Sequence, residues 1–531
     1  MTTPSVPYTT VRAPHRMVAS ADGLATQAGL AVMARGGNAV DAAIATNAAI
    51  AVTAPHLCGM GGDLFALVHV PGDEPTALDA SGRAGSGADP GRLRDEGRVE
   101  MPFRHDIRTV TVPGCVDGWV ALHQRFGRLP IGEVLAPATA LAEDGFPASP
   151  LLVGSLAMLD DDAREHLVEL VAQAVRPGAL VRRPGVARTL RMIAEGGRAA
   201  FYEGSFGEGL KTLGPGYFTD EDLARRQAEW VEPLAIDVWG HRLWTLPPAS
   251  QGYLALSAAW IAQELPLPPD PDDPRGAHLL IEAAIAAGHD RPEVLHERAD
   301  GTALLASDRL LPRREAISAE STSNRRGHVP AADGDTTYLC TVDDDRMAVS
   351  LINSNAAGLG SWLVEPSSGI NLHNRGLGFS LEEGHPAEYG PGRRPPHTLC
   401  PLLVTTEHGA LTATVGTMGG DGQPQILLQV VTRMLLHGQH PALAIASGRW
   451  VLRGEASGFD TWTSAGGPVV LVEGHASSDW DVGLAARGHD VARAMPFDSA
   501  FGHAHTIVVQ ADGTLAAAAD PRARIGSAAG G

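Results

Sequence analysis

The stretch Asp333-Gly334-Asp335-Thr336-Thr337-Tyr338-Leu339-Cys340 divides the chain into two different kinds of sequence. Upstream, from about Ile317 to Gly334, Ser, Asn, Arg, Gly and Asp dominate, and the pattern predicts an exposed, mobile loop. Downstream, Thr336 to Val342 and Met347 to Asn353 are β-branched and apolar runs separated by Asp343-Asp344-Asp345-Arg346, the signature of a hairpin. Thr336 stands at the join. A threonine hydroxyl is a weak nucleophile and needs a base within hydrogen-bond reach. If the chain were cut before Thr336, the new α-amine would supply that base on the same residue, with an unperturbed pKa of about 7.7–8.0. By itself, a Thr-Thr pair opening a strand is usually a matter of β-propensity.

Working outward, Leu411 to Val415 reads as a strand running into Gly416-Thr417-Met418-Gly419-Gly420-Asp421-Gly422. A helix follows, with Pro424 in its first turn, Ile426, Leu427, Val430, Val431, Met434 and Leu435 on one face, and Gly438 as its stop. Backbone N–H groups of Gly419 and Gly420 in such a loop can meet an oxyanion, and a plain turn is the alternative. A second helix is expected from Pro441 to about Trp450, then strands near Val469 to Val472 and Thr506 to Gln510 and a Gly/Ala tail.

In the first half, Leu24 to Arg35 reads as a helix stopped by Gly36-Gly37. Asn38 and Asp41 form a capping pair for Ala39 to Val52, which is apolar nearly all round and so predicts a buried helix ended by Pro55. Gly59-Met60-Gly61-Gly62-Asp63 lies between that helix and a strand, Leu64 to Val70. A dinucleotide fingerprint needs the opposite order, so the glycines read as a tight turn. From about Thr111 to Gly240 the pattern is mainly helical, as in Trp119 to Phe126, Ile131 to Glu143 and Val186 to Glu195. A Pro/Asp-rich loop, Pro266 to Arg275, precedes a helix from His278 to Ala287. A helical first part and a strand-plus-helix second part predict a layered α+β fold.

The 531 residues carry a formal charge of −20, which argues against nucleic acid and anionic membrane as partners. Lys211 is the only lysine. Cys58, Cys115, Cys340 and Cys400 include no CxxC pair, so neither zinc nor a disulfide framework is expected. His503 and His505 share a strand face without an apparent third ligand and read as core. Met1 to Val18 has no apolar h-region and Ala42 to Val52 is too short to span a bilayer, so a soluble cytoplasmic protein is expected.

DGDTTYLCTVD, INSN with GLGS after it, RRPPHTLCP and GTMGGDGQPQ follow one another in an order that resembles the small subunit of the γ-glutamyltranspeptidase family. The first part agrees too, in MVASADGLATQAGLAVMARGGNAVDAAIATNAAIAV, the GMGGD turn, TVTVPGCVDGWVALHQRFGRLP, ALAEDGFPAS, FYEGSFGE, DLARRQAEWVEPL and LPPASQGYLAL. These enzymes are N-terminal nucleophile hydrolases. The resemblance implies a four-layer αββα sandwich. It implies a precursor cut between Asp335 and Thr336 into a large subunit, 1–335, and a small subunit, 336–531, forming one intertwined unit, with a dimer of such units open. It implies Thr336 as nucleophile, Gly419 and Gly420 as oxyanion donors, Arg83 on a substrate carboxylate, and water or an amine as acyl acceptor, with no cofactor and no metal.

The departures bear on substrate. Where γ-glutamyl enzymes carry an aspartate for the substrate α-amine, this chain has Gly378, and Arg375 stands three residues earlier. His397-Thr398 replaces a Ser-Ser pair, and Asn353 and Ser354 lie where an assisting threonine is expected. These changes resemble the branch that includes oxamate amidohydrolase and imply a small carboxylate-bearing amide without an α-ammonium. The alternatives are a true γ-glutamyltransferase or glutathione hydrolase, and an uncut, non-catalytic binding or scaffold protein. Cys340 and Cys400 are expected near Thr336 as buried structural thiols.

Overall fold

The computed structural model describes residues 9–323, 335–454, 458–463 and 467–531. Among them, two antiparallel sheets of seven strands each form the centre. The first runs in the order Ser527–Gly530, Met17–Ser20, Asp335–Val342, Ala348–Ala356, Asp63–His69, Thr76–Ala80 and Glu229–Val231. The second runs Val11–Ala13, Leu515–Ala518, His505–Val509, Leu411–Gly416, Leu402–Thr406, His241–Thr245 and Leu234–Val238.

Alternation along the strands decides what lies between the sheets. Tyr338, Cys340 and Val342 face a buried cluster that also holds Trp244, Leu403 and Ile507 of the second sheet. Leu339, with Leu64, Ala66 and Leu351, faces the other way, onto a core shared with the helices Gly23–Ala34, Ala39–Thr53 and Cys115–Phe126. In the second sheet Leu402, Val404, Ala413 and Val415 likewise pack on the helices Tyr253–Ala262, Pro274–Gly288 and Gln423–Val431.

The expected buried helix runs Ala39–Thr53, with every residue buried. Asn38 and Asp41 close a reciprocal capping box at its start. The Asp343 carboxylate accepts from the Ala39 N–H at 2.9 Å, so the hairpin turn also anchors this helix. The hairpin is Asp335–Val342 against Ala348–Ala356.

Three expectations need correction. The helix expected from His278 starts at Pro274, because Asp273 caps it and proline suits a first turn, so Arg275 belongs to the helix. The helix from Pro441 stops at Ala446, and Trp450 opens the strand Trp450–Arg453. The Gly/Ala tail is an edge strand, Ser527–Gly530, paired with Met17–Ser20 through its backbone. The first half carries most of the helices and also supplies four strands to the first sheet and three to the second. Of the loop expected over 317–334, residues 324–334 lie outside those described. Among the described residues, no helix is long and apolar enough to cross a membrane.

Candidate active site

Thr336 sits at the start of a central strand, at an irregularity. Asp335 pairs with Ala356 but Thr337 pairs with Asn353, so the ladder slips at Thr336. Such bulges re-aim a side chain. Thr336 is 2 % exposed, and its Oγ1 lies 2.9 Å from the Ser354 Oγ. Ser354 Oγ also accepts from the Ala356 N–H at 2.8 Å, which fixes its position. Of the two residues expected to assist Thr336, Ser354 therefore makes the contact. Asn353 points to the turn beside it, donating to the Asp63 carbonyl at 2.7 Å and accepting from Asn47 at 3.4 Å.

The loop after Leu411–Gly416 brings in the two glycines. Gly419 has φ 133° and Gly420 φ 54°, left-handed conformations that favour glycine. A Cβ on Gly420 would lie 2.5 Å from the Gly458 carbonyl. Gln251 ties this loop to the next segment, donating to the carbonyls of Gly420 at 3.0 Å and Thr398 at 2.9 Å. Sequence reasoning did not single out Gln251, although it lies in the quoted LPPASQGYLAL block.

Arg375 and Thr398 are brought together. Arg375 is 2 % exposed and donates from Nη1 to Thr398 Oγ1 at 3.1 Å. Its Nε is buried without a partner among the described residues. Its guanidinium lies 5.2 Å from the Phe459 ring centre. Burial, and then the positive charge of Arg291, pull Arg375 down to about 10, which leaves it charged at neutral pH. A Cβ built on Gly378 would stand 3.1 Å from Arg375 Nη2 and 2.5 Å from the Pro396 carbonyl. The arginine thus fills space that a side chain at position 378 would enter. Asp421 completes the cluster. It lies 3.4 Å from Arg291 Nη2 and accepts from the Thr461 N–H at 3.2 Å. Burial pushes its carboxyl up, against the pull of Arg291 and Arg375. Arg291 and Asp421 escaped the sequence reading because they are 130 residues apart and carry no local pattern.

His397 has a different setting from Thr398. Its Nε2 donates to Asp63 Oδ2 at 3.2 Å, its Nδ1 accepts from the Leu399 N–H at 3.4 Å, and its ring packs 4.8 Å from Phe65. Burial pulls it down to about 4, so the contact with Asp63 is a hydrogen bond from a neutral imidazole. Both ring nitrogens are occupied within the protein, and His397 braces Asp63 rather than presenting a group to a ligand. Asp63 Oδ1 in turn holds the Gly82 N–H at 2.9 Å.

Arg83 follows Gly82, yet its guanidinium turns to Glu229 at 2.7 Å, a carboxylate that Arg394 also binds at 2.9 Å. One nitrogen of Arg83, Nη1, is buried without a partner among the described residues. The thiols are structural. Burial lifts Cys340 to about 12, and Cys400 donates to Gln423 Oε1 at 3.5 Å. His503 and His505 are buried, with His505 Nδ1 accepting from the Asp520 N–H at 3.1 Å.

Replacing Ser354 by Ala is expected to lower kcat by roughly tenfold to a hundredfold, with KM changed less than threefold. The reason is that, with Thr336 as the expected nucleophile, the hydrogen bond from Ser354 to its oxygen would be worth about 1–3 kcal/mol. Steady-state kinetics beside a thermal melt check this. A mutant that melts far lower at unchanged kcat would make Ser354 a packing residue only.

A profile of the family described as Gamma-glutamyltranspeptidase matches residues 25–530. The oxamate amidohydrolase proenzyme of Klebsiella pneumoniae is 36% identical over 97% of this chain and 98% of its own. A glutathione hydrolase-like proenzyme of Bacillus subtilis is 34% identical over 96% of this chain and 97% of its own. Among solved structures, a cephalosporin acylase from Bacillus halodurans superposes with a TM-score of 0.87 at 33% identity, covering 100% of this chain and 99% of that one. The chain belongs to the gamma-glutamyltranspeptidase family and is an enzyme of the N-terminal nucleophile hydrolase type.

Proposed function

We propose that the chain is an autoprocessing amidohydrolase whose nucleophile is Thr336 and whose substrate is a small amide bearing a carboxylate. In this reading the Thr336 hydroxyl attacks the carbonyl of Asp335, the Asp335–Thr336 C–N bond breaks as the acyl group passes to the Thr336 oxygen, and water hydrolyses that ester, giving chain 1–335 with a new carboxylate and chain 336–531 with a free α-amine and hydroxyl on Thr336. The freed α-amine then takes the Thr336 proton as its oxygen attacks the substrate amide carbon. The C–N bond breaks, the amine or ammonia leaves with a proton, and an ester on Thr336 remains. Water, or an amine acceptor, adds to that ester and regenerates the hydroxyl. N–H groups of Gly419 and Gly420 carry the oxyanion, each worth a few kcal/mol in such roles. The two sheets and their outer helices form the αββα layering, with the strand from Thr336 held between Met17–Ser20 of one product and Ala348–Ala356 of the other.

The observation that supports the substrate class is the buried, charged Arg375 against Gly378. A guanidinium there attracts a carboxylate and repels an ammonium. The oxamate-named relative points to the same chemistry. Arg83 Nη1 is the second candidate for that carboxylate. Asn353 and His397 hold the turn at Asp63 in this reading and do not touch substrate.

Intact mass spectrometry followed by turnover of oxamate and of a γ-glutamyl anilide tests both halves. The expected result is two chains and a kcat/KM for oxamate at least a hundredfold above that for the anilide. A cut enzyme that prefers the anilide would make this a γ-glutamyl enzyme. A single uncut, inactive chain would make it a non-catalytic member.

A further inference from the structure

Far along the chain from the Thr336 cluster, three residues meet that the proposed chemistry does not use. His278 and Glu282 lie one turn apart on the helix Pro274–Gly288, and His489 follows the helix Asp479–Ala486. Their exposures are 0 %, 1 % and 5 %, and their ligand atoms all lie within 4.8 Å of one another. We propose that His278 Nδ1, His489 Nε2 and a Glu282 carboxylate oxygen bind a divalent transition metal of the zinc class.

The surrounding hydrogen bonds aim these groups. His278 Nε2 is 2.8 Å from the Ser318 carbonyl, which can only accept, so the proton sits on Nε2 and the Nδ1 lone pair faces inward. That Nδ1 accepts a hydrogen bond from His489 Nε2 at 2.8 Å, a proton that a metal would displace from Nε2, and His489 Nε2 lies 3.9 Å from Glu282 Oε1. Ligand atoms on a tetrahedral zinc sit roughly 3.4 Å apart, the edge set by arms of about 2.0–2.1 Å. A small rotamer adjustment closes one gap and opens the other. Glu282 is oriented by Thr322 Oγ1 at 2.6 Å, Ser323 Oγ at 2.6 Å and the Ser323 N–H at 3.1 Å. Carbonyls and hydroxyls behind metal ligands do this work generally.

Charge points the same way. Glu282 is buried, and its one ion-pair contact among the described residues is with His489. Arg487, the nearby cation, donates to the carbonyls of Ala319 and Gly483. A buried carboxylate facing two imidazoles is a donor set that suits a divalent transition metal. A cavity of about 440 Å³, lined by Glu282, His289, Arg313 and Ser323 among others, reaches the cluster on the side of Glu282.

The site needs no cleavage to exist. If the chain is cut before Thr336, however, His278 and Glu282 belong to one product and His489 to the other. The metal would then clamp the two together at the segment that leads to the junction.

The test uses full-length protein without a polyhistidine tag, stripped with a chelator and dialysed against Zn²⁺ or Co²⁺. Elemental analysis is expected to find one Zn²⁺ per chain, and the Co²⁺ form to show the visible absorption of a four-coordinate site. Glu282→Gln and His489→Ala are expected to lower the bound metal at least tenfold. Less than a tenth of an equivalent in the wild type, or metal retained in both variants, overturns the proposal. Because the Co²⁺ spectrum is read on wild type, a variant that fails to fold leaves the test intact. Metal content is also independent of turnover, so failure here is separable from failure of the Thr336 chemistry.

Discussion

Thr336→Ala is expected to yield one intact chain of 55.4 kDa that turns over no amide, where the parent is expected to give two chains of about 35 and 20 kDa. Both steps use the same oxygen. Without it no group attacks the Asp335 carbonyl, so no α-amine is released, and the substrate's acyl group has no oxygen at residue 336 on which to form an ester. The loss of kcat should be on the order of 10⁴-fold or more, the scale seen when a covalent nucleophile is removed. The fold should survive. Thr336 lies at a slip in the ladder, and its one side-chain bond given by the structure is to Ser354 at 2.9 Å. Losing such a bond costs about 1 kcal/mol, a shift of only a few degrees in a melt. Thr336→Ser keeps the oxygen and should still be cut, more slowly. Denaturing gels, intact mass and a thermal melt separate these results. Two chains from the alanine variant would remove Thr336 from the mechanism.

How much of this was legible depends on how local the signal is. The hairpin from Thr336 could be read because β-branched residues alternate on both sides of an acidic turn. The helix Ala39–Thr53 could be read because its cap lies three residues from its partner and its face is apolar all round. The tail Ser527–Gly530 could not. Its Gly and Ala side chains carry no pattern, and the backbone of Met17–Ser20, 510 residues away, makes the ladder. The site divides in the same way. Ser354 follows from its place beside the nucleophile strand. His397, read by position as a substrate group, is claimed by Asp63 from 334 residues away. Arg291 meets Asp421 only through folding. His278 and Glu282 show a helical i, i+4 pair in sequence, but their third member is 207 residues beyond Glu282.

The substitution with the next largest effect is Arg375→Gln, for which kcat/KM on oxamate is expected to fall roughly a hundredfold to a thousandfold, mostly through KM. Truncating one side of a buried charge pair typically costs about 2–5 kcal/mol, and here the pair is guanidinium and substrate carboxylate. Autocleavage should proceed normally, because in the proposed chemistry Arg375 neither attacks nor releases the Asp335–Thr336 bond. That contrast distinguishes a binding role from damage to the fold. Arg375→Lys is expected to recover little, since an ammonium cannot reproduce a planar fork over the Phe459 ring. Unchanged KM in the glutamine variant would transfer the carboxylate to Arg83. The same geometry says why a change to ammonium-bearing substrates takes more than Gly378→Asp. The new Cβ meets the Pro396 carbonyl at 2.5 Å and Arg375 Nη2 at 3.1 Å. The guanidinium at 375 can be shortened by substitution, but the carbonyl belongs to the backbone leading into His397-Thr398, which must move as well. Specificity for an anion without an amine is thus built into the main-chain path around Arg375 as well as into its charge.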